Sequence, residues 1–167
     1  MYLLLFFTGW LWQPPGLRDV LAATVAVLVF LPVYFHAYER SEVAFIPHIV
    51  VMELLAWGLA GFAGIHGVFH VYACVQAAFQ QPRTRAISLI GGVTFAYGAF
   101  ALATEQPLLA IIFNTGFGLI IGIGCIGQAE SLARERKLKR SRELERQHAT
   151  LAERERIAHE LHDLLGQ

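Results

Sequence analysis

The sequence predicts an all-α membrane protein: a polytopic bundle of five to six spans, then a cytoplasmic helix with a dimeric coiled-coil seam. Three observations carry this. Apolar residues make up 56% of the 167 positions, more than an ordinary globular domain uses. They fall in runs near the roughly 20 residues a transmembrane helix needs. The charges are segregated, nine of the 13 Lys/Arg and eight of the 13 Asp/Glu lying after Gln128. The formal net charge of zero thus combines an apolar body, 1–128, with a zwitterionic tail. Neither part has the basic excess of a nucleic-acid binder.

The first span is Val20 to Tyr38, free of charge and holding one proline. Ala44 to Phe79 is apolar for 36 residues, about 54 Å as one helix, so it must break. The expected break is "GIHG", Gly64 to Gly67, with a full segment before it and a short one, Val68 to Phe79, after it. Ala86 to Ala103 and Pro107 to Gln128 complete the set. Met1 to Trp12 is a short sixth candidate ended by Pro14-Pro15; it lacks the charged start and cleavage site of a signal peptide.

Lys and Arg in short loops set the orientation. Arg83 and Arg85 place their loop in the cytoplasm, as the basic tail does for the C-terminus. Arg40 then falls inside and Arg18 outside, the latter against the rule. The expected location is a cell membrane, with the lipid bilayer as first partner.

Polar residues inside the body are the sensor candidates. Glu53 lies well within its span, either as a proton-linked or signal-sensing group or as a carboxyl paired with His48 about a turn away. His66, His70 and Cys74 recur every four residues on one helical face. Such a set can bind zinc or copper. No fourth ligand is evident, and structural histidines at a helix interface are the reading preferred here, so no metal is assigned. Cys74 and Cys125 read as small buried hydrophobes rather than a disulfide. Asn114 reads as an interhelical hydrogen-bond donor. Glycines crowd 58–67 and 116–127, including the pair Gly118 and Gly122, as close helix packing in lipid requires.

From Ala129 the chain is rich in helix formers, with no Pro and no Gly before Gly166. Leu144, Leu151, Ala158 and Leu165 fall at sevenfold spacing, while Leu132 and Leu138 break that register. The seam is thin, and a homodimer is the expected state. Residues 129–153 read as a linker helix.

Residues 154–167 are more specific. Arg154, Arg156, Ile157, Ala158, Glu160, Leu161, His162, Asp163, Gly166 and Gln167 stand in an order that resembles the phosphoacceptor box of DesK-like sensor histidine kinases. That subclass shares its dimerisation and phosphoacceptor domain with the nitrate-sensor kinases. His159 departs from the pattern, where the family carries Arg. "YLLLFFTGWLWQPP" and "VFHVYACVQAAF" resemble the family's membrane domain more weakly.

The chemistry is consistent with the resemblance. An imidazole attacks a γ-phosphoryl group when one nitrogen is unprotonated and the other is held by an acceptor. Asp163, beside His162, can orient the ring, take its proton and stabilise the developing imidazolium. Gln167 follows Asp163 by four residues, on the same helical side. The resemblance implies phosphoacceptor for His162, acid-base helper for Asp163, and water positioning against a response regulator's aspartyl-phosphate for Gln167. It also implies a response regulator as partner, and ATP with magnesium on a catalytic domain. These residues show no motif of that domain and no second bundle helix, so the chain is expected to bind no cofactor itself. It reads as a truncated product or the first part of a longer kinase. Changes in bilayer thickness or fluidity are the stimulus expected by analogy.

Two other classes compete. One is a small transporter or channel-like protein with a solvated tail, using Glu53. The other is a metal-responsive membrane binding protein using His66, His70 and Cys74. Neither accounts for Asp163, Gly166 and Gln167 following His162.

Overall fold

The structure, a computed structural model, describes residues 3–11, 14–39, 46–62 and 66–165, with backbone alone for 38–39 and 158–165. All of its regular elements are helices. They are α1 (Leu4–Thr8), a 3-10 turn (Gly9–Leu11), α2 (Leu17–Glu39), α3 (Ile46–Gly58), α4 (Gly67–Ala78), α5 (Arg83–Ala103) and α6 (Leu108–Leu165). The chain divides into two compact units, 1–129 and 130–167.

In the first unit each long helix buries one stripe and exposes the rest. On α2 the buried residues are Ala23, Ala26 and Phe30, spaced three and four apart; Leu21, Val25 and Leu28 face outward. On α5 they are Ala86, Ile90, Thr94, Tyr97 and Ala101. On residues 108–129 of α6 they include Ile111, Ile126 and Ala129, while Ile112, Phe113, Ile120 and Ile123 are exposed. Apolar residues on both faces suit a helix whose outer side meets hydrocarbon rather than water. Among the described residues, three helices are long and apolar enough to cross a membrane: α2, α5 and the first part of α6.

Helix α4 lies at the centre. Phe69, His70, Ala73, Cys74 and Ala77 are wholly buried. It packs on α3 and α5, and α1 also touches it. Phe69 is wedged between Phe6 of α1, at 5.6 Å between ring centroids, and Phe30 of α2, at 5.7 Å. Tyr72 closes on Phe30 at 4.8 Å.

The long apolar run is interrupted between α3 and α4, which begins at Gly67; Gly64 and Ile65 of "GIHG" lie outside the described residues. Helix α3 stops at Gly58, and residues 59–62 tighten into turns, with Ala60 N–H donating to Trp57 O and Phe62 N–H to Leu59 O. Gly58 and Gly61 flank this stop, where their conformational freedom weakens a helix. The full-length segment expected before the break is therefore a helix of 13 residues, about 20 Å long. That is short of the roughly 30 Å hydrocarbon core. Helix α4, with 12 residues, is shorter still.

The remaining joints have local causes. Asp19 caps the start of α2 by accepting from Gly16 N–H at 2.8 Å. Pro82, after a cis peptide bond, precedes α5, and its carbonyl accepts from Arg85 and Ala86. Glu105 takes a left-handed φ of 55°, letting Gln106 N–H reach Ala101 O and end α5. The Gln106 side chain donates to Ala60 O at 3.3 Å, tying two turns together.

The second unit is helical through Leu165, and its side chains as far as Ile157 are largely exposed. Its side chains pair along the helix, Arg134 with Glu130 and Arg156 with Glu153. Leu138, Leu144 and Leu151 are more than half exposed.

Candidate functional site

Two sets of residues carry chemistry, one in each unit. In the first unit, four helices place polar side chains around His70. Position 53 falls on the buried stripe of α3, beside Met52 and Ala56, so its carboxyl points inward. Position 70 lies in the second turn of α4, the helix buried on all sides. The two meet: His70 Nδ1 is 2.6 Å from Glu53 Oε1, with the side chains 0% and 8% exposed. That separation belongs to a charge-assisted hydrogen bond. With the proton on Nδ1, His70 Nε2 is left as acceptor, facing Cys74 Sγ at 3.6 Å one turn further along α4. Cys74 Sγ in turn lies 3.7 Å from Thr94 Oγ1 of α5. A polar chain Glu53–His70–Cys74–Thr94 thus crosses from α3 through α4 to α5.

Tyr97 and α6 complete the surroundings. The Tyr97 ring stacks on the imidazole, with centroids 4.3 Å apart and planes 18° from parallel. Its hydroxyl accepts from Asn114 Nδ2 of α6 at 3.3 Å. Gly118 of α6 abuts His70 and Cys74: a Cβ there would lie 2.7 Å from His70 Nε2 and 3.2 Å from Cys74 Sγ. A Cβ at Gly122 would meet Cys74 Cβ at 3.1 Å, and one at Gly67 would collide with the Asn114 amide. Glu53 Oε2 is buried and, among the described residues, has no hydrogen-bond partner. A buried carboxylate with one satisfied oxygen is costly to the fold.

Several expectations meet this geometry directly. Glu53 pairs with His70 rather than with His48; the His48 ring instead stacks on His36 of α2, with centroids 5.5 Å apart. The reason is placement, since His48 and Glu53 share one helix whereas α4 presents His70 across the interface. Of His66, His70 and Cys74, the structure brings together the last two; His66 precedes the first turn of α4. Among the described residues no group of three or more His, Cys, Asp or Glu side chains is arranged to hold a metal. Asn114 is an interhelical donor, as its position suggests. Cys74 and Cys125 are free thiols, Cys74 buried and Cys125 partly so.

Sequence reasoning missed Thr94 and Tyr97, because an aromatic and a β-branched residue in an apolar helix carry no signal of polar partners. The glycines of α6 gave a usable signal, but not which side chains they face.

In the second unit, His162 and Asp163 lie on the backbone of α6, which runs to Leu165. Gln167 falls outside the described residues. Upstream, Glu153 grips Arg156 through two bonds, Oε1 with Nη2 at 2.6 Å and Oε2 with Nε at 3.1 Å, and pushes the guanidinium pKa up. No known family, curated protein or solved structure matches the chain.

Proposed function

We propose that the chain is the membrane sensor region and the start of the phosphoacceptor domain of a DesK-like sensor histidine kinase. The observation that carries this is the box at 154–167, where His162, Asp163, Gly166 and Gln167 follow Arg154, Arg156, Ile157 and Ala158 at the family's spacing. The helix bearing His162 begins as an apolar span, which supports the reading. The spans are α2, α3, α4, α5 and the first part of α6, with α3 and α4 short and α1 as a half-span. The C-terminus is cytoplasmic and the membrane is a bacterial inner membrane. Exposed Leu138, Leu144 and Leu151 suit a second copy of the chain as partner.

In this mechanism His162 is the nucleophile. Asp163 accepts a hydrogen bond from one ring nitrogen, leaving the other free to attack the γ-phosphorus of ATP held by a catalytic domain, breaking the bond to the bridging oxygen and releasing ADP. The phosphoryl group then passes to an aspartate of a response regulator. Gln167 orients the water that later removes it.

A second reading, a small proton-linked transporter, is favoured by the buried Glu53–His70 pair. It predicts proton-coupled flux into liposomes that Glu53→Gln abolishes; the sensor reading predicts no flux.

The deciding experiment takes the native protein from its own membrane, measures its intact mass, and incubates it with ATP and magnesium. The expected result is a mass above 18.6 kDa and a phosphoryl label on His162. The label disappears in His162→Gln and persists in His159→Gln. A kinase-length protein unlabelled at His162 would sink the proposal.

A further inference from the structure

A cleft of about 470 Å³ lies between α2 and α3. Its walls include Leu21 and Val25 of α2 and Leu54 of α3, with Gly58 at the end of α3 and Leu59 in the turn just beyond it. Ligand pockets have this character: roughly 300–1,000 Å³, mostly apolar, with a few placed polar groups. Here the single charged lining residue is Arg18, near the start of α2.

From the cleft's walls and its one charge, we infer that it binds an anionic phospholipid, with an acyl chain along the groove and the phosphate on Arg18. The inference rests on the body spanning a membrane and is independent of the kinase reading. Arg18 opens the first turn of an apolar helix, so it sits where that helix meets the headgroups. Val25, seven residues on, lies about 10 Å deeper. The groove therefore pairs a cation at its mouth with apolar walls running toward the bilayer interior, the layout of a lipid with a negative head.

The guanidinium is available for this contact. Among the described residues Arg18 makes no ion pair; its recorded partner is the Phe62 ring, 5.9 Å from Cζ to the centroid. At that distance the ring is a loose cation–π neighbour, and the guanidinium N–H groups remain for a phosphate, which Arg grips bidentately. The neighbouring carboxylate, Asp19, does not line the cleft and bonds Gly16 N–H instead. A free phosphate would use Arg18 and gain nothing from the apolar walls.

Gly58 gives a clean way to fill the groove. A Cβ there would meet no atom within 4 Å, so a larger side chain occupies the cleft without displacing the protein's own packing.

The test presents the full chain in detergent micelles with equimolar phosphatidylglycerol and phosphatidylcholine of identical chains, and reads retained lipid by native mass spectrometry. Phosphatidylglycerol should be retained over phosphatidylcholine by about fivefold, the preference one basic residue near the surface supplies. Arg18→Gln should bring the two to parity, and Arg18→Lys should keep most of the preference. Gly58→Leu should lower retention of both lipids while helix content and melting temperature hold. Equal retention by the wild type, or a preference that survives Arg18→Gln, overturns the headgroup assignment. Unchanged retention in Gly58→Leu overturns the groove. Displacement of phosphatidylglycerol by inorganic phosphate would assign Arg18 to a soluble anion and overturn the lipid.

Discussion

Glu53 Oε1 and His70 Nδ1 meet at 2.6 Å although 17 residues separate them in the chain. The bond joins α3 to α4 across the turn at 59–62, and both partners are buried. Deleting one member leaves the other uncompensated, which typically costs about 3–5 kcal/mol. Glu53→Ala should therefore lower the stability of the membrane body by about that amount, and Glu53→Gln by less, because an amide oxygen still accepts from Nδ1. Thermal or denaturant unfolding of the reconstituted protein measures both, and equal losses would mean the bond is not what holds the two helices.

The glycines of α6 give a paired prediction. Gly118→Ala should destabilise by about 1–3 kcal/mol, since its Cβ would press on the His70 ring within a packed interior. Gly124→Ala meets nothing within 4 Å and should be neutral, or stabilising by up to about 1 kcal/mol through helix propensity. Melting temperatures of the two variants in the same nanodisc preparation decide the matter; similar shifts would mean Gly118 is not at a close contact.

Asp163 and Gln167 should separate two activities in a full-length kinase. Asp163→Asn should slow phosphorylation of His162 by about 10²- to 10⁴-fold, the range for loss of a positioned acid-base group. Gln167→Ala should leave that rate near wild type and abolish dephosphorylation of the response regulator. Single-turnover labelling, followed by decay of the phosphorylated regulator, reads each step.

The tail should associate through its leucines. Each fully buried leucine contributes about 1.5–3 kcal/mol. Replacing Leu144 and Leu151 together by Asn should shift the protein from dimer to monomer in sedimentation equilibrium, with helical content falling in parallel.

Much of the fold was legible because it follows from length and apolarity. The long helices begin and end within three residues of the apolar runs on α2 and α5, where Asp19 and Pro82 mark the starts. The stop at Gly58 was harder to read. "GIHG" carries the stronger glycine signal, but α3 already ends at Gly58, beside the point where Gln106 reaches Ala60 from a distant loop. Glu53 was identifiable as a buried carboxyl, but its partner was not. A partner on the same helix is visible in sequence, whereas one across an interface depends on which face α4 turns inward. With α4 buried all round, periodicity cannot say which residue meets α3. The roles proposed for His162, Asp163 and Gln167 come from motif order and residue chemistry alone.

The close fit of Gly118 and Gly122 against His70 and Cys74 also restricts how α6 can move. A screw displacement of α6 by one turn would bring either Asn114 or Gly122 to the place of Gly118. The first sets an amide against His70; the second carries Ile126 onto Cys74, where even a Cβ is crowded. Sliding is blocked in both directions, so residues 108–129 are keyed axially to α4 at one register. Motion that keeps the key engaged is pivoting about the Gly118–His70 contact, with the helix as a lever rather than a piston.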